Sequence, residues 1–174
     1  MSLSRFAMAL PSTTALLVLE LLKQQSAVSI RGIPYKGSAT SMTDLIGGQV
    51  PVGIDTVSAS RSFIASGKLK ALGVTSLQTS ALLPNVKTVA AQGVEGFQVV
   101  AWNGLYAPRG TPPALVQKLS AELAKILAQP DVQQKLLELG HEPAGESPAK
   151  LAEFARNERQ KWGPLIQKAG IKAD

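Results

Sequence analysis

The chain reads as an α/β fold, an open parallel sheet with helices on its faces. Two observations carry this. Short apolar runs at Val28–Ile33, Val50–Ile54 and Leu69–Thr75 alternate with helix-length segments, the rhythm of βαβ units. Val50–Ile54 is also nearly continuous in apolar character rather than alternating, which suits a strand buried on both faces.

Each element has its own local reason. Thr13–Gln25 is predicted helical, with Ser12, Thr13 or Thr14 as its cap and Leu16, Val18, Leu19 and Leu22 as its apolar face. After the Val28–Ile33 strand, Gly37-Ser38 makes a turn that opens a helical pattern. The short helix Ser41–Ile46 stops at Gly47-Gly48. Asp55 or Thr56 caps a helix over Val57–Ser66, and Gly67 ends it. Asn85–Gly96 reads as a loop with one short helix, and Phe97–Ala107 as extended. Thr111 is expected to cap the next helix, with Pro112 at its first position. Leu115, Leu119, Leu123 and Leu127 recur every four residues along one face of it. Pro130 breaks that helix, Asp131 starts another that ends at Gly140, and Ser147-Pro148 opens a long final helix.

The chain therefore has two parts. Residues 1–100 form an α/β unit, and 101–174 hold a crossover strand and three amphipathic helices. Three such helices with one strand need a partner surface to cover, either on the first unit or in material this chain lacks.

Composition narrows the function. A 45% hydrophobic content in 174 residues is that of a globular chain. The longest apolar run, Ala15–Leu22, is cut by Glu20, so no membrane span is expected. Arg5 ahead of an apolar stretch has the outline of a secretion signal, but Pro11, Ser12, Thr13, Thr14 and Glu20 fall inside it. The chain expressed as it stands is thus expected to stay in the cytoplasm. With no cysteine and one histidine, His141, no disulfide, thiolate metal site or Cys-based catalysis can be assembled. His141 follows Gly140 at a helix end and reads as part of a C-terminal cap. No metal, cofactor or enzymatic role is expected. The net charge of +6 comes from dispersed residues such as Arg61, Lys68, Lys87, Arg109 and Lys125, and aromatic residues are few. A solvated basic surface fits better than nucleic-acid binding.

Three turns are candidate binding loops: Ser12-Thr13-Thr14, Gly37-Ser38, and Asp55-Thr56-Val57-Ser58. All sit at helix starts, where unpaired N–H groups and the positive end of the helix dipole favour an anion. In an open parallel sheet such turns lie beyond the carboxyl ends of the strands, where ligands bind. Each also reads as a plain helix cap. Asp55 repels an anion, so it either caps its helix or meets a ligand ammonium group.

Several stretches resemble one family in order and spacing. They are Pro34-Tyr35-Lys36-Gly37-Ser38-Ala39, Asp44-Leu45-Ile46-Gly47-Gly48-Gln49-Val50, and Ser66-Gly67-Lys68-Leu69-Lys70-Ala71-Leu72-Gly73-Val74-Thr75. Leu83-Pro84-Asn85-Val86, Trp102-Asn103-Gly104-Leu105-Tyr106-Ala107-Pro108 and Glu158-Arg159-Gln160-Lys161-Trp162 continue the match. The chain resembles the Bug family, the periplasmic solute-binding receptors of tripartite tricarboxylate transporters.

The resemblance implies a periplasmic-binding-protein-like (type II) two-lobe architecture with the first lobe incomplete, because complete members are nearly twice as long. It implies that residues 1–100 are a ligand-binding lobe and that 101–174 belong to the incomplete one. The ligand would be a small carboxylate (a di- or tricarboxylate, an acidic amino acid or an aromatic acid), held by Ser12, Thr13, Thr14, Gly37, Ser38, Asp55, Thr56 and Ser58. In intact relatives the partners are the membrane components of the transporter, and the exposed incomplete lobe invites self-association. The same resemblance leaves a second reading, a truncated or degenerate remnant without ligand binding. Pro11 and Ala15 stand where the family carries Gly and His, and Pro cannot take the positive φ of a Gly turn.

Overall fold

A computed structural model describes residues 6–171. It divides into two compact units. The first runs to Ala101 and takes up the chain again from Leu165; the second is Trp102–Pro164. The division by sequence grouped 101–174 together, whereas here the end of the last helix packs with the first unit.

The first unit is built on three parallel strands in the order β2-β1-β3. The elements run β1 (Ala7–Leu10), α1 (Thr13–Ser26), β2 (Arg31–Pro34), α2 (Ser38–Ile46), β3 (Val52–Gly53) and α3 (Val57–Ala65). Central β1 pairs Ala9 with Ile33 on one side and with Gly53 on the other. The ladders extend one step further through Tyr35 N–H to the Leu10 carbonyl at 3.0 Å and Ile54 N–H to the Ala9 carbonyl at 3.3 Å.

Sequence reasoning missed β1. Its four residues, Ala-Met-Ala-Leu, carry no alternation and are closed by Pro11. Only pairing on both sides makes them a strand, and burial follows: Met8, Ala9 and Leu10 are all buried. The core gathers there, with Met8, Leu10, Ala15 and Leu19 packed against Leu16, Leu22, Ile30, Val52 and Ile54. Thus the predicted apolar face of α1 covers the sheet. Gly32 lets β2 approach that core, since a Cβ there would stand 2.5 Å from Leu10 Cδ1 and 2.9 Å from Leu19 Cδ2.

The expected strand at Leu69–Thr75 does not form. What remains is a single parallel bridge from Val74 to Thr88, plus a hydrogen bond from Val99 N–H to the Thr75 carbonyl at 2.9 Å. The Gln92 side-chain amide donates to the Leu72 carbonyl at 3.0 Å and to the carbonyls of Lys87 and Thr88. A side chain thereby satisfies backbone that a ladder would otherwise pair.

The second unit holds α4 (Pro113–Leu127), α5 (Pro130–Glu138) and most of α6 (Pro148–Ala169), whose interior Pro164 lies at the unit boundary. Thr111 does not cap α4. Pro112 occupies the N-cap position, and the Thr111 hydroxyl donates to the Pro108 carbonyl at 2.8 Å, closing the preceding turn. Trp102 meets Phe154 edge-on with ring centroids 5.2 Å apart. No residue of 102–164 is buried.

Two substitutions test this core. Leu19→Ala removes a side chain with no exposure and is expected to cost about 2–5 kcal/mol in urea unfolding. Gly32→Val forces Leu10 and Leu19 aside and is expected to cost about 1–3 kcal/mol in the same measurement.

Candidate functional site

Parallel pairing places the three turns that follow β1, β2 and β3 on one edge of the sheet. The local chemistry of those turns differs. At α1, Ser12 is extended (φ −155°) and its Oγ accepts the Ala15 N–H at 3.2 Å. The Ser12 acceptor is thereby committed to the cap. Thr13 and Thr14 are exposed on the first turn of α1. Pro11 is buried and Ala15 lies in the core, so the turn forms here without a glycine.

At α3, Thr56 is the cap. Its Oγ1 accepts the Ala59 N–H at 3.3 Å and lies 3.0 Å from Ser58 Oγ. The Ser60 hydroxyl turns back to the Thr56 carbonyl at 3.0 Å. This helix start is therefore closed by its own hydroxyls.

The start of α2 is different. Gly37 occupies the N-cap position with φ 112° and ψ 173°, a conformation that favours glycine, and no side chain caps the helix. The α2 ladder begins with Ser41 N–H to the Gly37 carbonyl at 3.4 Å. The N–H groups of the first turn face outward without a capping side chain, and α2 carries no acidic residue there. Of the three helix starts, this is the one left open to an anion.

Asp55 ties the second turn to the third. Its Oδ1 accepts the Ser38 hydroxyl at 2.8 Å and the Thr56 N–H at 2.8 Å. Its Oδ2 is buried without a hydrogen-bond partner among the described residues. The Ser38 hydroxyl thus spends its proton on Asp55, and toward a ligand it presents lone pairs rather than a donor. The expectation that Asp55 caps its own helix is replaced by this bridging role, because Thr56 Oγ1 holds the cap.

One supporting contact was not foreseen. The Tyr35 hydroxyl donates to Asp44 Oδ2 at 2.9 Å, joining the end of β2 to the body of α2 and bracing the Gly37-Ser38 turn. Partial desolvation, then this hydrogen bond and then the Asp44 charge raise the Tyr35 pKa above the ordinary tyrosine value. Nothing in the spacing of Tyr35 and Asp44 announces the pair; it appears only once β2 and α2 are placed. Beside the turn, Ser38, Ala39, Met42, Thr43, Ile46, Ala59 and Phe63 line an open, mainly apolar groove of about 420 Å³ between α2 and α3.

The family model described as "Tripartite tricarboxylate transporter family receptor" matches residues 5–171. The chain belongs to this family.

Its relatives agree. A UPF0065 protein from the tcbD-tcbE intergenic region of Pseudomonas sp. is 39% identical over 97% of this chain. Protein BugT of Bordetella pertussis is 31% identical over 96% of it. The match covers 51% of each of those two relatives, so the chain spans about half their length. Among solved structures, an R. palustris protein with adipate superposes with a TM-score of 0.81 at 33% identity, over 96% of this chain and 56% of that one. The periplasmic binding protein BugD gives 0.73 at 31% identity, over 99% and 59%. MatC from Rhodopseudomonas palustris with bound malate gives 0.72 at 29% identity, over 94% and 57%. The fold is that of these periplasmic binding proteins, and the family is one of receptors rather than enzymes.

Two measurements probe the turn. Ser38→Ala removes the Asp55 bridge and is expected to lower stability by about 1 kcal/mol in urea unfolding. Tyr35 supplies a test by pH. A raised folded-state pKa means that its contribution is complete below the unfolded value near 10 and is lost as pH rises through the folded value. Urea midpoints of the parent chain should therefore fall across that alkaline window, and Tyr35→Phe should remove that part of the fall.

Proposed function

We propose that the first unit is a ligand-binding lobe of a solute receptor for a small carboxylate in a tripartite tricarboxylate-type uptake system. The observation that carries this is the uncapped start of α2, at the edge of the sheet where the turns after β1 and β3 also lie. In this reading backbone N–H groups of the α2 first turn hold the carboxylate, with Gly37 allowing its close approach. Thr13, Thr14 and Ser58 supply further hydroxyls from the neighbouring turns. Ser12 and Thr56 act one step back, as caps that fix the backbone, and Ser38 accepts a hydrogen bond rather than giving one.

Asp55 then selects among acids. Its charge disfavours an anion placed directly against it, and it favours ligands that carry an ammonium, hydroxyl or protonated carboxyl at that point. Adipate and malate, the ligands of two structural neighbours, define the class to try first. The compartment of the neighbour BugD supports a periplasmic setting, and the family description supports membrane transporter components as partners.

A thermal-shift panel tests the reading. Adipate, malate, other dicarboxylates and acidic amino acids are titrated into this chain and into its intact Pseudomonas sp. relative. Ligand at about 100 times its Kd should stabilise the binding form by about 2.7 kcal/mol. Melting unchanged for both proteins across the panel would sink the carboxylate assignment. A response from the relative alone would support the remnant reading of this chain.

A further inference from the structure

We propose that the apolar faces of the second unit are a docking surface for a βα segment with an apolar sheet face. The occupant is the portion of the relatives' length that this chain does not match. The proposal concerns a protein partner surface and does not rest on the carboxylate assignment.

The first observation is energetic. The second unit has three helices and, among its described residues, neither a strand nor a buried residue. Along α4, Leu115, Leu119, Leu123 and Ile126 are all exposed, and Leu105 is 71% and Tyr106 65% exposed. A stripe repeating every three to four residues is the face a helix turns toward a core, and a contiguous patch of this kind marks an interaction surface. The opposite side of α4 is already solvated and paired, with Lys125 Nζ 2.8 Å from Glu122 Oε1.

The second observation identifies the occupant. This chain superposes over 96% of its length on the adipate-bound R. palustris protein while accounting for 56% of that protein. Its helices already follow the relatives' path, and what lacks a counterpart is a large further segment. In the first unit the same fold covers helix faces with a parallel sheet: Leu19 of α1 is fully buried against β1. A sheet-bearing segment fits a row of helix stripes in that way. A second copy would bring the same strandless helices.

Co-expression tests this without requiring either part to be stable alone. The portion of the Pseudomonas sp. relative outside the match is tagged and co-expressed with this full chain. The expected result is a one-to-one complex by light scattering. Amides of Leu115–Ile126 should exchange at least about tenfold more slowly than in the chain alone. Leu119→Asp with Leu123→Asp should weaken the complex by at least about tenfold. Amides of Met8–Leu10 should keep their protection in that variant, which separates lost docking from lost folding. Absence of a complex would overturn the proposal. So would a homodimer of this chain that already protects α4, or a complex indifferent to the paired Asp substitutions.

Discussion

Parallel pairing of Ala7–Leu10 with a strand on each side is the constraint on which the first unit depends. Four apolar residues become a fully buried central strand because β2 and β3 satisfy its backbone on both edges. That burial recruits Leu19 and Ala15 of α1 into the core. The shared strand direction then decides where function can sit. Every strand exits on the same edge, so the three helix starts gather there without contacts between distant loops.

The helix starts are chemically unequal, and the inequality directs the proposed function. Ser12 and Thr56 consume the free donors of α1 and α3 by capping them. Gly37 contributes no such group to α2. An anion at that start gains about 0.3–1 kcal/mol from the dipole when exposed, and up to about 2 kcal/mol when partly buried. Asp55 opposes this with a negative charge, yet it also locks Ser38 and Thr56 into one frame. The turn is therefore rigid and only partly electropositive, a combination that discriminates among acids rather than attracting all of them.

The α/β class, the α1 face, the α2 and α3 positions and the stop at Gly47-Gly48 were legible because each rests on local chemistry: apolar spacing, caps and glycines. The β1 strand was not, since four apolar residues before a proline carry no periodicity. Leu69–Thr75 has strand composition, but Gln92, twenty residues from Leu72, takes up its carbonyl. At the candidate site the residue types were readable and their allocation was not. Whether Thr56 or Asp55 caps α3, and whether Ser38 gives or accepts a hydrogen bond, depends on a side-chain bond spanning seventeen positions. The exposed stripe of α4 was foreseen from its leucine spacing. What the sequence could not indicate is that the second unit has no buried residue at all.

The central claim is that a carboxylate is held by backbone N–H groups at the start of α2. Its most direct test is an amide-resolved NMR titration of the isotope-labelled chain with adipate and malate. The account predicts saturable downfield shifts concentrated at the amides of Ser38, Ala39 and Thr40, with smaller changes at Thr13, Thr14 and Ser58. Saturable binding that leaves those three α2 amides unmoved would contradict it.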